Sequence, residues 1–308
     1  MACTINWNVL NFPEWEQRFK RVKRSTLLQS YPYAQSSAEL QKQKPRWGVI
    51  MIDEAEAGLV QIMEAGIFKN LIHAVILDRG PLWLEGYDTL ENINAFFKEF
   101  NRQFPARIGR KRRIIPEKDI DLTSLGYKYH GGQYETIWLD VTQPQETLKS
   151  NLKKNWRGTL NKAEKQGFKL EWDSKGEHFA WLLKNYERDK QAKGYDGPSV
   201  TLLKTLAKYH LPRGELLIGR ASLNAKQVAG ILILCHASGA TYQLGFTTPE
   251  GRDNGAHHLL LWHALGVLKF KKIRDFDLGG INDDTAKGVK KFKTGMGGQA
   301  VTLGGIYN

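Results

Sequence analysis

Close to the end of this 308-residue chain, Gly288-Val-Lys-Lys-Phe-Lys-Thr-Gly-Met-Gly-Gly298 places three lysines and a phenylalanine within four positions. A helix that only needs a soluble end has no use for Phe292 between Lys291 and Lys293. Positive charge beside a packed ring suits the stabilisation of an oxyanion or a phosphate. The plain alternative is a last helical turn whose lysines meet the negative end of their own helix.

A second candidate is Gly245-Phe-Thr-Thr-Pro-Glu-Gly-Arg-Asp-Asn-Gly-Ala256, which joins a predicted strand to a predicted long helix. Backbone N–H groups at a helix start can hold phosphate. Arg252-Asp-Asn-Gly255 matches the first half of the [QR]xxGx[GA] loop that grips pyrophosphate in acetyl-CoA-dependent acyltransferases. His257 stands where that loop wants a small residue, so the match is partial; a simple helix cap is the other reading.

Lys154, Arg157, Asn161 and Lys165 recur at helical spacing opposite Trp156, Leu160 and Ala163, giving a polar stripe that either faces solvent or tracks phosphates. The run Arg110-Lys-Arg-Arg113 follows a predicted strand and reads as a solvated edge, nucleic-acid contact being the alternative. His257, His258 and His263 share one helix without metal-ligand spacing, so no metal is expected. GxSxG, Walker A and HExxH signatures are missing.

The elements that must position these residues come in an order that occurs twice. In the first half, helices near residues 13–23 and 33–43 precede strands at 46–52, 57–62 and 71–77, a helix near 90–104, and strands near 106–110 and 133–140. In the second, helices near 145–153, 156–165, 177–192 and 199–209 precede strands at 215–220, 228–234 and 240–245 and a helix near 256–270. AGLVQI at 57–62 echoes AGILIL at 229–234. Helices, an antiparallel three-strand meander, a helix and one more strand describe an acyltransferase-type α/β domain present twice, with the division expected at 144/145.

Charge follows the same division. Of 45 Lys+Arg and 32 Asp+Glu, residues 1–144 hold 19 and 17, whereas residues 145–308 hold 26 and 15. A net of +11 in the second half favours a polyanionic partner, or else is a soluble basic surface. No run of eighteen apolar residues exists, so no membrane span is expected. The N-terminus shows no signal peptide, and Cys3 and Cys235 form no disulfide framework; both suit the cytoplasm.

The chain resembles the FemABX family of peptidoglycan-bridge aminoacyltransferases. The resemblance runs through Leu27-Leu-Gln-Ser-Tyr-Pro-Tyr33, Arg79-Gly-Pro81, Asn155-Trp-Arg157 with Lys162-Ala-Glu-Lys-Gln-Gly167, Phe276-Asp-Leu-Gly-Gly280 and the 288–298 stretch. It implies α/β architecture of two tandem GNAT-like domains, mixed and largely antiparallel sheets flanked by helices, with residues 1–144 on the acceptor side and 145–308 on the donor side. The acceptor, a peptide or peptidoglycan precursor, would lie across the cleft. No cofactor would be bound, aminoacyl-tRNA being a co-substrate, and a new amide bond would be the product. A lipid-linked acceptor would bring peripheral membrane association.

Residue by residue, the family's Phe–Lys pair falls on Phe292 and Lys293, the lysine facing the reacting ester. Its basic residue after the second-domain helix falls on Lys193, and a cleft aromatic on Tyr242. Lys290, Lys291, Lys154, Arg157 and Lys165 would meet tRNA phosphates, and Arg252 substrate. Departures are Gln35-Ser-Ser37, where members that hold a nucleotide-linked muramyl peptide carry a lysine, and Met296 in place of an aromatic. The rivals are an acyl-CoA-dependent N-acyltransferase, which would use the Arg252–Gly255 loop, and a nonenzymatic RNA-binding protein.

Overall fold

The computed structural model describes residues 2–282 and 287–308, with the side chain of Lys287 left out, and contains two compact units: Met1–Tyr134 with Thr302–Asn308, and Glu135–Val301. The division thus falls at 134/135 rather than 144/145. The strand near 133–140 explains the difference: it enters the second sheet.

Unit 1 contains β1 (Cys3–Trp7), α1 (Phe12–Phe19), α2 (Tyr31–Gln41), β2 (Lys44–Ile52), β3 (Ala55–Ile67), β4 (Ile72–Gly80), β5 (Leu82–Trp83), α3 (Leu90–Gln103) and β6 (Arg110–Pro116). Its sheet runs β1-β2-β3-β4-β6, with β5 beside β3; all pairs are antiparallel except β4–β6. Phe96, Phe97 and Phe100 of α3 recur at helical spacing and bury one face against Ile50, Val60, Ile62, Val75, Leu77 and Ile114. Asn11, Ser30 and Thr89 cap α1, α2 and α3 with side-chain oxygens, which ends each helix where its first N–H groups lack partners.

Unit 2 follows with β7 (Tyr134–Asp140), α4 (Gln145–Asn151), α5 (Lys154–Ala163), β8 (Lys169–Asp173), α6 (Phe179–Lys193), α7 (Val200–His210), β9 (Leu216–Leu223), β10 (Lys226–His236), β11 (Gly239–Thr247), α8 (Pro249–Asp253), α9 (Ala256–Phe270), β12 (Asp275–Gly280), α10 (Lys287–Thr294) and β13 (Gln299–Leu303). Strand order is β13-β7-β12-β11-β10-β9-β8. As in unit 1, a three-strand antiparallel meander is followed by a helix and by a strand parallel to the last of the three. The echo AGLVQI/AGILIL lies on β3 and β10, the middle strand of each meander. Helix α9 buries Leu259, Leu260, Leu261, Trp262, Ala264, Leu265 and Leu268, an almost uninterrupted apolar run that belongs to a helix enclosed on most sides.

The run Arg110–Arg113 lies inside β6, not after a strand. Alternation along β6 exposes Lys111 and Arg113 and buries Arg112, whose Nη1 donates to Asn101 Oδ1 (2.6 Å) and Phe104 O (3.0 Å). A solvated edge describes only half of that run.

Candidate active site

Helix α10 sets the site. Adjacent residues on a helix point about 100° apart, so Phe292 and Lys293 serve different neighbours. Phe292 meets His257 and His258 edge-on, with ring centres at 5.3 and 4.9 Å, and lies 6.1 Å from Trp156. Lys293 turns toward the end of β12. It is only 8% exposed, and its ammonium donates to Gly280 O at 2.9 Å and stands 5.8 Å from the Tyr242 ring centre. Burial pushes its pKa down to about 8, against the opposing attraction of Asp277. An ammonium has three protons to donate. Gly280 O is its one hydrogen-bond acceptor among the described residues.

The sheet opens where that ammonium points. Parallel pairing of β11 with β12 covers Gly239↔Asp275 to Thr241↔Asp277 and no further. On β11 a bulge follows at Gln243, between Tyr242 and Leu244. Asp277 closes the other side, accepting the Thr136 hydroxyl and the Gly279 N–H (2.8 Å). Gly279 has φ +73°, and a Cβ there would stand 3.4 Å from Tyr242 O and 3.5 Å from Lys293 Nζ. The DLGG motif is therefore the wall beside the lysine.

Tyr242 hydrogen-bonds His257 Nε2 at 2.9 Å. Burial holds the phenol well above its ordinary range. For His257 burial comes first, then the positive surroundings of His258, Arg252, Lys193 and Lys293, and its pKa falls to about 3. The imidazole is neutral at ordinary pH. Gly245 makes room for the pair: a Cβ there would lie 2.1 Å from the Tyr242 hydroxyl and 2.6 Å from His257 Nε2.

On the other side of Phe292 is a groove of about 500 Å³, floored by Trp156, His258 and Phe292 and rimmed by Lys153, Lys154, Asn155 and Lys291. An aromatic floor with a cationic rim suits stacked, phosphate-bearing ligands.

Of the residues singled out in sequence, Lys293, Phe292 and Tyr242 come together, and Lys154 and Lys291 share the groove. Lys193 ends α6 in an ion pair with Asp189 (2.6 Å), and Arg252 is exposed on α8; both act on the site through charge at His257. Lys290 does not project free toward phosphate, because Glu135 pairs it at 3.1 Å. Helix α5 stops at Ala163, so Lys165 lies in the following turn rather than on the stripe with Lys154 and Arg157. Trp156, Leu160 and Ala163 are buried as their spacing predicts.

Sequence reasoning alone does not place His257 and His258 in the site: it shows them without metal-ligand spacing, and His257 as an obstruction to a pyrophosphate loop. Their signal lay in adjacency: two neighbouring histidines on α9 meet both sides of one phenylalanine. In unit 1, Gln29 of the Leu27–Tyr33 stretch braces the sheet. Gln29 donates to Gln61 O (2.9 Å) and Asp78 O (2.8 Å), and accepts from Gln61 N (2.8 Å). Ser36 and Ser37 are buried. Among the described residues, no group of three or more His, Cys, Asp or Glu could hold a metal, and no helix is long and apolar enough to cross a membrane.

Two acyltransferase-like units and this pocket define the class. Residues 150–294 match the family model described as acetyltransferase (GNAT) domain. The crystal structure of FemX is similar at TM-score 0.78 and 15% identity, over 98% of this chain and 96% of that one. A tandem GNAT protein from the clavulanic acid biosynthesis pathway matches at 0.52 and 11%, over 99% and 98%. The C-terminal domain of a putative lysylphosphatidylglycerol synthetase from Agrobacterium fabrum matches at 0.52 and 11%, over 91% and 86%. No curated protein matches. The architecture is that of FemABX-type tandem GNAT proteins, and unit 2 carries an acyltransferase-type domain.

Proposed function

We propose that the protein is an aminoacyltransferase that moves an amino acid from aminoacyl-tRNA to the amine of a peptide or peptidoglycan-precursor acceptor. The observation that carries this reading is Lys293: a desolvated ammonium with protons to spare, beside parted strands. Aminolysis of an ester needs no protein nucleophile. The neutral acceptor amine bonds to the ester carbonyl carbon and the carbonyl oxygen takes up negative charge; the C–O bond to the ribose oxygen then breaks, and the proton lost by the nitrogen ends on that oxygen, giving an amide and a free ribose hydroxyl. Lys293 stabilises that oxyanion, and a low-dielectric pocket strengthens the effect. Phe292 holds the lysine's helix, and the groove beyond it, with Lys154 and Lys291, receives the phosphate-bearing end of the donor. The Tyr242–His257 pair lies on the other side of Phe292, with Arg252 and Lys193 acting there through their charge.

A second reading, an acyl-CoA-dependent N-acyltransferase, is favoured by the GNAT match. Against it, His257 stands where the pyrophosphate loop wants a small residue, and its side chain is held in the site by Tyr242 at 2.9 Å. The test is to incubate pure protein with charged tRNA, acetyl-CoA and peptide acceptors, and to identify products by mass. An aminoacylated acceptor formed only with charged tRNA is expected. An acetylated product, or none, would overturn the proposal.

A further inference from the structure

One end of unit 1 combines apolar side chains and positive charge that no core explains. Strands β3 and β4 close at Ile67↔Ile72, and the turn between them runs Phe68, Lys69, Asn70, Leu71. Phe68, Lys69 and Asn70 all have positive φ, at 51°, 53° and 66°. Such a turn costs L-residues conformational energy and is one where glycine is the usual choice. The loop before β6 fastens it. Arg107 Nη1 donates to Leu71 O and Ile108 O, each at 3.0 Å, Nη2 donates to Asn70 O, and His73 N donates to Gly109 O at 2.8 Å.

On this braced tip Ile67, Phe68, Leu71, Ile72 and Ile108 are all exposed, Phe68 at 75% and Ile108 at 99%. Residues 65–77 and 104–116 contain no Asp or Glu, yet hold Lys69, Arg107, Arg110, Lys111, Arg112 and Arg113. The flanking carboxylates are engaged: Glu64 with His73 (3.0 Å) and Arg46 (3.5 Å), Asp78 with Arg113. Grouped apolar side chains of this size mark an interaction surface rather than chance exposure.

We propose that this tip is a membrane-docking element: Phe68, Leu71 and Ile108 enter the headgroup–acyl boundary of an anionic bilayer, while Lys69 and Lys111 meet lipid phosphates. Short apolar wedges with a basic collar gain both from burial in the interface and from the negative surface potential. A second copy of the chain is the poorer occupant, because two such tips would set like charges face to face.

The test uses the full chain and sedimentation with vesicles of phosphatidylcholine containing about one-third phosphatidylglycerol, at physiological salt. Wild type is expected to pellet with these and not with pure phosphatidylcholine. Phe68→Ser with Leu71→Ser and Ile108→Ser is expected to reduce the bound fraction tenfold or more, with an unchanged melting temperature. Ile108→Ser alone is expected to reduce it several-fold and serves if the triple variant misfolds. Lys69→Ala should weaken binding about fivefold, given roughly 1 kcal/mol per basic residue at such a surface. Failure of wild type to bind overturns the proposal. So does binding that survives in the apolar variants, which would place it on the basic surface of unit 2. Lipid-free dimerisation abolished by the same variants would make the tip a self-interface and likewise overturn it.

Discussion

A buried ammonium is unusual enough at Lys293 to have two opposite pH signatures. Its pKa of about 8 lies below the ordinary 10.5 because burial disfavours its charged form. Below pH 8 it is charged in both folded and unfolded chains, and the folded state bears the full penalty of roughly 3 kcal/mol. Between pH 8 and 10.5 the unfolded chain binds the extra proton, so stability rises with pH. Oxyanion stabilisation needs the charge, so turnover should instead fall as pH rises through about 8. Lys293→Met keeps the stem and removes the charge. Turnover should fall about 100-fold to 1000-fold with substrate affinity little changed, since the charge meets oxygen only in the transition state. The melting temperature at neutral pH should hold or rise. A variant that melts lower yet turns over normally would make Lys293 a helix-end residue and nothing more.

At the level of elements, the groove between α5 and α10 sorts the lysines that sequence alone grouped together. Lys154 and Lys291 line it, whereas Lys290 is paired with Glu135. Lys154→Ala and Lys291→Ala should each weaken tRNA binding and reduce the slope of log affinity against log salt by about one. Lys290→Ala should change the slope by less. Equal slopes for all three would refute the groove as the phosphate path. The glycines after α10 have a packing reason. At Gly297 φ is +76° and a Cβ would stand 2.1 Å from Asn151 O; at Gly298 one would stand 2.6 Å from Trp138 O. Gly297→Ala should therefore destabilise by more than about 2 kcal/mol, read as a lowered denaturant midpoint. The repeated order of helices, antiparallel meander and helix was legible in sequence, because periodicity is local; β1 and β8, five residues each, were not. The assignment of β7 to the second sheet was not, since its partners β12 and β13 lie more than 130 residues onward. The Tyr242–His257 bond was equally hidden: it depends on the space Gly245 leaves, and in sequence Gly245 reads as the start of a loop.

The whole molecule should lose stability unevenly on acidification. Unit 2 holds four histidines with depressed pKa values: burial comes first for each, taking His210 and His258 to about 4 and His236 and His257 to about 3. His210 shows why. It is fully buried, its Nδ1 lies 2.8 Å from Leu206 O, and among the described residues its Nε2 has no partner to accept a second proton's bond. Their folded pKa values lie below the unfolded value near 6.5. Above that value their contribution is complete; as pH falls the unfolded chain takes up protons that the folded chain refuses, and stability drops until about pH 4 to 3. Each histidine contributes a slope of up to about 1.4 kcal/mol per pH unit in that window. In unit 1, His73 is depressed too, but it faces Glu64 at 3.0 Å, a partner that favours its charged form. Urea unfolding followed by hydrogen exchange should thus show residues 135–301 losing protection before residues 2–134 at pH 5, with the two midpoints closer at pH 7. Replacing two of the titrating groups, His210→Gln with His236→Gln, should flatten the pH dependence of the unit 2 midpoint even if both midpoints fall. A single transition that moves as one between pH 7 and 5, or an unflattened slope in the double variant, would show that acid stability is set elsewhere in the chain.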